Sequence, residues 1–305
     1  MKLNSDKVLI LGTGALATLF ASRLAASGVG VTMLGTWQAG LAVLQRKGVQ
    51  VEGEDQTFQL TVTDDPNLCK GIHFALVLVK SWQTERVARQ LTLCLADDGV
   101  ALTLQNGLGN DSILSSELGP ARVMLGVTTL GATLLAPGLV RQGGEGDINL
   151  QAHPRLSPLA EMLRRAGFKV TTVEDVRSLI WGKLVVNSAI NPLTALLQVK
   201  NGELLKYPSV RKLVGYLATE TASVAGSLHI PLPFSDPEIA AVEVAKKTGS
   251  NISSMLQDVL RGAPTEVEAI NGAVVRLAEQ KALLVPVNRS VLSLVKALPL
   301  RGKII

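Results

Sequence analysis

"KVLILGTGALATLFASRLAASGVGVTMLG", residues Lys7–Gly35, carries the reading that decides the fold. Val8–Leu11 is a short apolar run, as expected of a strand buried on both faces. Gly12-Thr13-Gly14 follows as a tight turn. Leu16, Leu19, Phe20, Arg23 and Leu24 then recur at helical spacing, Gly28 ends that helix, and Val29–Leu34 resumes a strand. The unit is strand, turn, helix, strand, with the fingerprint G-x-G-x-x-A at Gly12, Gly14 and Ala17. The first glycine permits the turn and the second lets a pyrophosphate approach the backbone. The small third residue lets helix and strand pack closely. The helix start offers backbone N–H groups to phosphate, so Gly12, Thr13, Gly14, Ala15 and Leu16 are the candidate dinucleotide-binding residues. An α/β unit that uses its glycines only for turning is the competing reading.

Dinucleotide folds that bind NAD carry Asp or Glu near the end of the second strand, to hold the ribose 2′-hydroxyl. Here that place reads "MLGTWQAG", and the next acid along the chain is Glu52. A carboxylate would repel a 2′-phosphate, so its absence favours NADP(H). Thr36 is the candidate phosphate contact, with Arg46 or Lys47 reaching from the next helix.

Two later runs end in polar residues. "HFALVLVK" closes with Lys80 and "VALTLQNG" with Asn106 and Gly107. Ligands of open parallel sheets bind outside the carboxyl ends of the strands, which puts Lys80 and Asn106 in the ligand region. A solvent-exposed loop lysine and an Asn-Gly turn are the structural alternatives. Beyond Leu118, short strand-like stretches broken by Gly and Pro suit the far, antiparallel part of the sheet. "SPLAEMLRRAG" is a helix and "KVTTV" a last strand.

From Asp175 the pattern turns helical. "WGKLVVNSAINPLTA", Trp181–Ala195, spaces Lys183, Asn187 and Asn191 four residues apart, so an ammonium and two amides share one helix face. That face is either solvent-exposed or lines a cleft. Pro192 is expected to limit the helix, because the residue before proline avoids the α region. Further on, "NISSMLQD" supplies Asn251, Ser253 and Ser254, and "APTEVEAING" supplies Glu266. Asn251 and Ser254 also suit a helix-capping segment, and Thr265–Glu268 reads as a capping box. The expected architecture is α/β: a Rossmann dinucleotide-binding domain over 1–174, then an all-α substrate-binding domain over 175–305, with a ligand cleft between them.

Bulk properties agree with a globular two-domain chain. Of 305 residues, 47% are hydrophobic and 18% charged, enough to bury a large core. The two cysteines, Cys69 and Cys94, form neither a disulfide framework nor a C-x-x-C pattern, which suits the cytoplasm. His73, His153 and His229 lie far apart in sequence, and no metal site is indicated. Net charge is +5, but the cations are scattered and aromatics reach only 3%, so neither nucleic acid nor membrane is an expected partner. An anionic small molecule fits better. Asp6, Lys7 and the glycines interrupt the signal-peptide-like start. Oligomeric state is not legible, and a homodimer stays open.

Together these segments resemble the ketopantoate reductase (2-dehydropantoate 2-reductase) family. The resemblance rests on "LGTGALA", "LVKSWQ" at 78–83, "QNGLG" at 105–109, "GKLVVNSAINPLTA" at 182–195, "NGEL" at 201–204, "NISSMLQD" at 251–258 and "TEVEAING" at 265–272. It implies a 6-phosphogluconate-dehydrogenase-like arrangement, NADPH as cofactor, and reduction of a 2-oxo acid, ketopantoate, to pantoate on the way to pantothenate and coenzyme A. It implies that Lys183 is the catalytic acid–base, that Glu266 and Ser254 touch substrate, and that Asn187, Asn191 and Asn251 line its pocket. Lys80 and Asn106 would lie between cofactor and substrate. Asn201 falls in a matching motif without an assigned contact. Two positions depart from the pattern: Ala17 stands for the third glycine, and Thr36 stands where many members carry an arginine for the 2′-phosphate. A sister reductase for another branched 2-oxo acid, or a non-catalytic nucleotide-sensing homologue, are the alternatives. Loss of Lys183 or Glu266 would have favoured the latter.

Overall fold

A computed structural model describes residues 7–298; the basic start before Lys7 and the last seven positions lie outside them. Contacts divide the chain into two compact units. The first runs to Gln105 and resumes over Asn110–Val176. The second contains Asn106–Gly109 and the chain from Arg177 onward.

The first unit begins with β1 (Lys7–Leu11), α1 (Ala15–Ala26), β2 (Gly30–Leu34), α2 (Gln38–Lys47), β3 (Gln50–Val51) and β4 (Thr61–Thr63). It continues with β5 (Ile72–Val77), α3 (Thr84–Cys94), β6 (Leu95–Thr103), α4 (Asn110–Leu118) and β7 (Val123–Thr128). It ends with β8 (Ala132–Ala136), β9 (Leu139–Gln142), β10 (Asp147–Gln151), α5 (Ser157–Arg165) and β11 (Lys169–Val173). Eight strands form one sheet in the order β11-β10-β7-β6-β5-β1-β2-β4. Every pairing in it is parallel except β10 with β7. The region past Leu118 therefore divides: β7 extends the parallel sheet, β10 and its parallel neighbour β11 run in the opposite direction, and β8 and β9 join β3 in a separate small sheet.

Why β1 reads as a continuous apolar run is clear from its two faces. Val8 and Ile10 join a core with Phe20 and Leu24 of α1 and Leu159 and Leu163 of α5. Leu9 and Leu11 join another with Val87 and Leu91 of α3 and Leu114 of α4. Both faces are covered, so no polar alternation survives. Cys69 and Cys94 are free and buried in the second of these cores.

The second unit is helical: α6 (Val176–Leu197), α7 (Pro208–Ser227), α8 (Pro237–Lys247), α9 (Ser254–Leu260), α10 (Ala273–Gln280) and α11 (Pro286–Lys296). Among the described residues it has no strand. Its core gathers Trp181, Leu184, Val185 and Ala189 of α6, Leu217 of α7, Ala241 of α8, Val274 of α10 and Val291 of α11.

Two local expectations fail here. Pro192 does not end its helix, since α6 runs on to Leu197. Proline offers no N–H to the carbonyl four residues earlier, that of Ser188. The Asn271 side-chain amide donates to that carbonyl instead, at 3.0 Å. Asn271 also donates to Asn288 Oδ1 at 2.9 Å, and Asn288 donates to Glu220 at 2.8 Å. Glu220 in turn accepts the Val287 and Asn288 N–H groups at the start of α11. Likewise, Thr265–Glu268 is not a capping box. The Thr265 hydroxyl accepts from Val267 N at 3.5 Å, and Glu268 pairs with Arg276 and Lys296. A π-helical turn over Glu268–Gly272 replaces the expected α-helical start, and such turns recur at functional sites.

Candidate active site

In the first unit the strand order reverses at β1, with β2 on one side and β5 on the other. Gly12 follows β1 with φ +122°, and a Cβ there would stand 3.2 Å from the Leu78 carbonyl oxygen. Glycine alone meets both conditions. Gly14 caps α1 without any side-chain hydrogen bond, and a Cβ on it would meet nothing within 4 Å. The first turn of α1 thus keeps N–H groups without a side-chain cap beside an open, exposed backbone. That cradle fits a pyrophosphate. Thr13, Ala15 and Leu16 surround it, half-buried. Lys80 is half-buried and stands at the start of a 3-10 turn, Ser81–Gln83, just past β5. Thr36 is exposed after β2. Arg46 and Lys47 occupy the last turn of α2, about 12 Å along the axis from its first residue. They sit at the wrong end of the helix to accompany Thr36.

In the second unit the polar stripe of α6 is not a solvated face. Lys183 and Asn187 are half-buried, and Asn191 is 7% exposed. Burial pulls the Lys183 ammonium from its ordinary 10.5 to about 8, while the Glu266 carboxylate pushes the other way. Glu266 is itself 5% exposed. Asn106 Nδ2 donates to its Oε2 at 3.3 Å. Asn106 is brought there by its backbone: Leu108 N donates to the Ala269 carbonyl at 2.9 Å. A Cβ on Gly107 would lie 2.4 Å from the same oxygen, so glycine is needed for that approach as well as for its φ of +80°. The Asn-Gly dipeptide is therefore more than a turn; it ties Asn106 to the segment that bears Glu266.

Farther along α6, Thr194 donates to the Asn191 carbonyl, and its hydroxyl lies 2.6 Å from that of Ser253. Ser253, one of the three polar residues read from this segment, is the cap of α9 and accepts from Leu256 N. Ser254 is consequently the first helical residue, half-buried. Asn251 is exposed, and its carbonyl accepts the Asn201 N–H at 3.1 Å. Asn201 is buried and bonds Thr248, but its Oδ1 has no partner. Lys183, Glu266 and Asn106 thus form one charged cluster, and the Asn191 end of the stripe is linked through Thr194 to the 251–254 segment. Among the described residues, no group of acids, histidines and cysteines suits a metal ion, and no helix is long and apolar enough to cross a membrane.

Two family descriptions match: ketopantoate reductase PanE/ApbA over residues 8–155, and its C-terminal domain over 175–299. A 2-dehydropantoate 2-reductase of Halobacterium salinarum is 35% identical over 298 residues, covering 95% of this chain and 98% of the relative. The chain belongs to the ketopantoate reductase family. A crystal structure of a PanE/ApbA family ketopantoate reductase from Ralstonia eutropha superposes with a TM-score of 0.90, at 29% identity, covering 98% of this chain and all of that one. A D-mandelate dehydrogenase in complex with NADH superposes with a TM-score of 0.87 at 25% identity, over 95% of this chain and 98% of that one. Membership in the family makes the chain an oxidoreductase with a nicotinamide dinucleotide cofactor, NADPH in this family, in keeping with the empty-sided glycine cradle.

Proposed function

We propose that this chain reduces ketopantoate (2-dehydropantoate) to pantoate with NADPH, a cytoplasmic step toward pantothenate and coenzyme A. Gly12, Thr13, Gly14, Ala15, Leu16, Thr36 and Lys80 would hold a reduced dinucleotide, which would supply the hydride. The substrate's ketone oxygen then needs a proton, and Lys183 is the group to give it. An ammonium at that oxygen stabilises the developing negative charge and transfers the proton. With its pKa near 8, Lys183 is charged at neutral pH yet not strongly basic. Glu266 counters the desolvation of that ammonium and accepts a hydrogen bond from the substrate hydroxyl. Asn106 holds the Glu266 carboxylate. Asn187, Asn191, Asn251 and Ser254 offer neutral donors to the substrate carboxylate, which avoids placing a second cation beside Lys183. The partner is a small 2-oxo acid rather than nucleic acid, and self-association, if present, is as a homodimer.

The observation that carries this reading is the half-buried Lys183 with a depressed pKa, charge-coupled to a buried Glu266. Lys183→Ala should keep its melting temperature and NADPH affinity but lose about 10²–10⁴-fold in kcat. Unchanged turnover would remove Lys183 from the mechanism. Parallel assays with 2-oxoisovalerate and other branched 2-oxo acids decide the substrate, since a higher kcat/KM for any of them displaces ketopantoate.

A further inference from the structure

The dinucleotide contact left open by the sequence lies where β2 runs into α2. Read along the chain, this turn has no acid before Glu52, and Glu52 is engaged elsewhere, by Arg141 Nη2 at 2.7 Å. Read across the sheet, the turn does have one. β4 pairs in parallel with β2, Leu34 opposite Thr63, and Gly35 N donates to the Thr63 carbonyl at 3.1 Å. Asp64 is the next residue, level with Gly35 and Thr36. Its Oδ2 accepts from Nε2 of Gln38, the first residue of α2, at 2.6 Å. The same turn borders the glycine cradle, because a Cβ on Gly35 would lie 2.7 Å from Thr13 Cγ2. Asp64 is exposed, and among the described residues no cation pairs with it. The nearest basic side chains of α2, Arg46 and Lys47, are in its last turn.

An acid at the end of the second strand is what receives the ribose hydroxyls of an unphosphorylated dinucleotide. Here the acid arrives from the neighbouring strand, and among the described residues no cation offsets its charge. We propose that Asp64 is the specificity-determining residue for the cofactor: its carboxylate accepts the adenosine ribose hydroxyl of NADH and repels the 2′-phosphate of NADPH. Asp64 then narrows the chain's preference for NADPH, and substitution of Asp64 sharpens that preference. This rests on the reading that the first unit binds a dinucleotide, and not on which 2-oxo acid is reduced.

The test is direct binding, with full-length protein and no substrate, following nicotinamide fluorescence during titration with NADPH and with NADH. Wild type should bind the two within about tenfold of each other. A carboxylate about 5 Å from a dianionic phosphate in water opposes it by roughly tenfold in affinity. Asp64→Asn should therefore raise the affinity ratio for NADPH over NADH by about tenfold or more. Asp65→Asn serves as the control. It removes the same charge one residue on, where Asp65 instead caps a 3-10 turn through Asn67 N. Its ratio should move by less than about threefold, as exposed charges farther away are screened. A ratio unmoved in Asp64→Asn, or moved equally in Asp65→Asn, overturns the assignment. If wild type binds neither dinucleotide, the binding reading falls and this inference with it. If it binds both and Asp64→Asn shifts the ratio while ketopantoate is not turned over, the substrate reading alone fails.

Discussion

Asn271 spans a gap that proline opens, and the pair Asn271 and Pro192 can be tested as a thermodynamic cycle. Asn271→Leu conserves shape and removes two donated hydrogen bonds, to the Ser188 carbonyl and to Asn288 Oδ1. Each buried acceptor left unsatisfied costs about 1–3 kcal/mol. The Oδ1 of Asn271 is buried without a partner, so its removal returns about 1–3 kcal/mol. The net loss should be about 1–3 kcal/mol, from a total of about 5–15. In a Pro192→Ala background the Ser188 carbonyl regains a backbone donor, the N–H restored at the substituted position. There Asn271→Leu should cost about 1–3 kcal/mol less than in wild type. Buried Trp181 reports the unfolding of this helix directly; Trp37 and Trp82 are exposed in the other unit and can be replaced by Phe to isolate it. Urea titrations of the four proteins, followed at Trp181, give the coupling. A coupling below about 0.5 kcal/mol would refute the claim that Asn271 substitutes for the amide proton that proline lacks.

The remaining predictions concern the charged pair. A general acid must be protonated, so kcat/KM for ketone reduction should fall as pH rises through about 8, the value to which Lys183 is lowered. Because the Glu266 charge raises that value, Glu266→Gln should move the falling limb to lower pH; a limb that stays put or moves up would show that the two do not interact. Glu266→Ala should also cost ketopantoate about 10- to 150-fold more than it costs 2-oxoisovalerate, which lacks the hydroxyl, since hydrogen bonds to charged groups are worth about 1.5–3 kcal/mol. Equal losses for both substrates would leave Glu266 with no part in substrate choice.

What could be read from sequence and what could not divide along range of interaction. The turn at Gly12–Gly14 and the stripe Lys183, Asn187, Asn191 are local patterns, governed by glycine conformation and by 3.6 residues per turn, and they survive folding unchanged. So does the two-sided burial of β1, which shows as an unbroken apolar run. The rule that fails at Pro192 is equally local. Proline does remove a hydrogen bond, but the lost donor is replaced by Asn271, far along the chain, and no window around Pro192 contains that information. The capping-box pattern at Thr265–Glu268 fails for a related reason. The residues have the right types, yet Glu268 finds Arg276 and Lys296, and the Ala269 carbonyl is taken up by Leu108; tertiary partners displace the local cap. Asp64 is the sharpest case. Its acid is absent from the turn after β2 when the chain is followed residue by residue, and present when the β2–β4 register is known. A fingerprint defined along one strand cannot register a side chain delivered by the next. The same logic divides Lys183: its place in the stripe and a pKa lowered by burial could be expected from the sequence, while the charge that opposes the shift could not. The spacing belongs to α6 alone. The desolvation comes from everything packed around it, and the opposing charge comes from Glu266, in a segment that the chain reaches only much later.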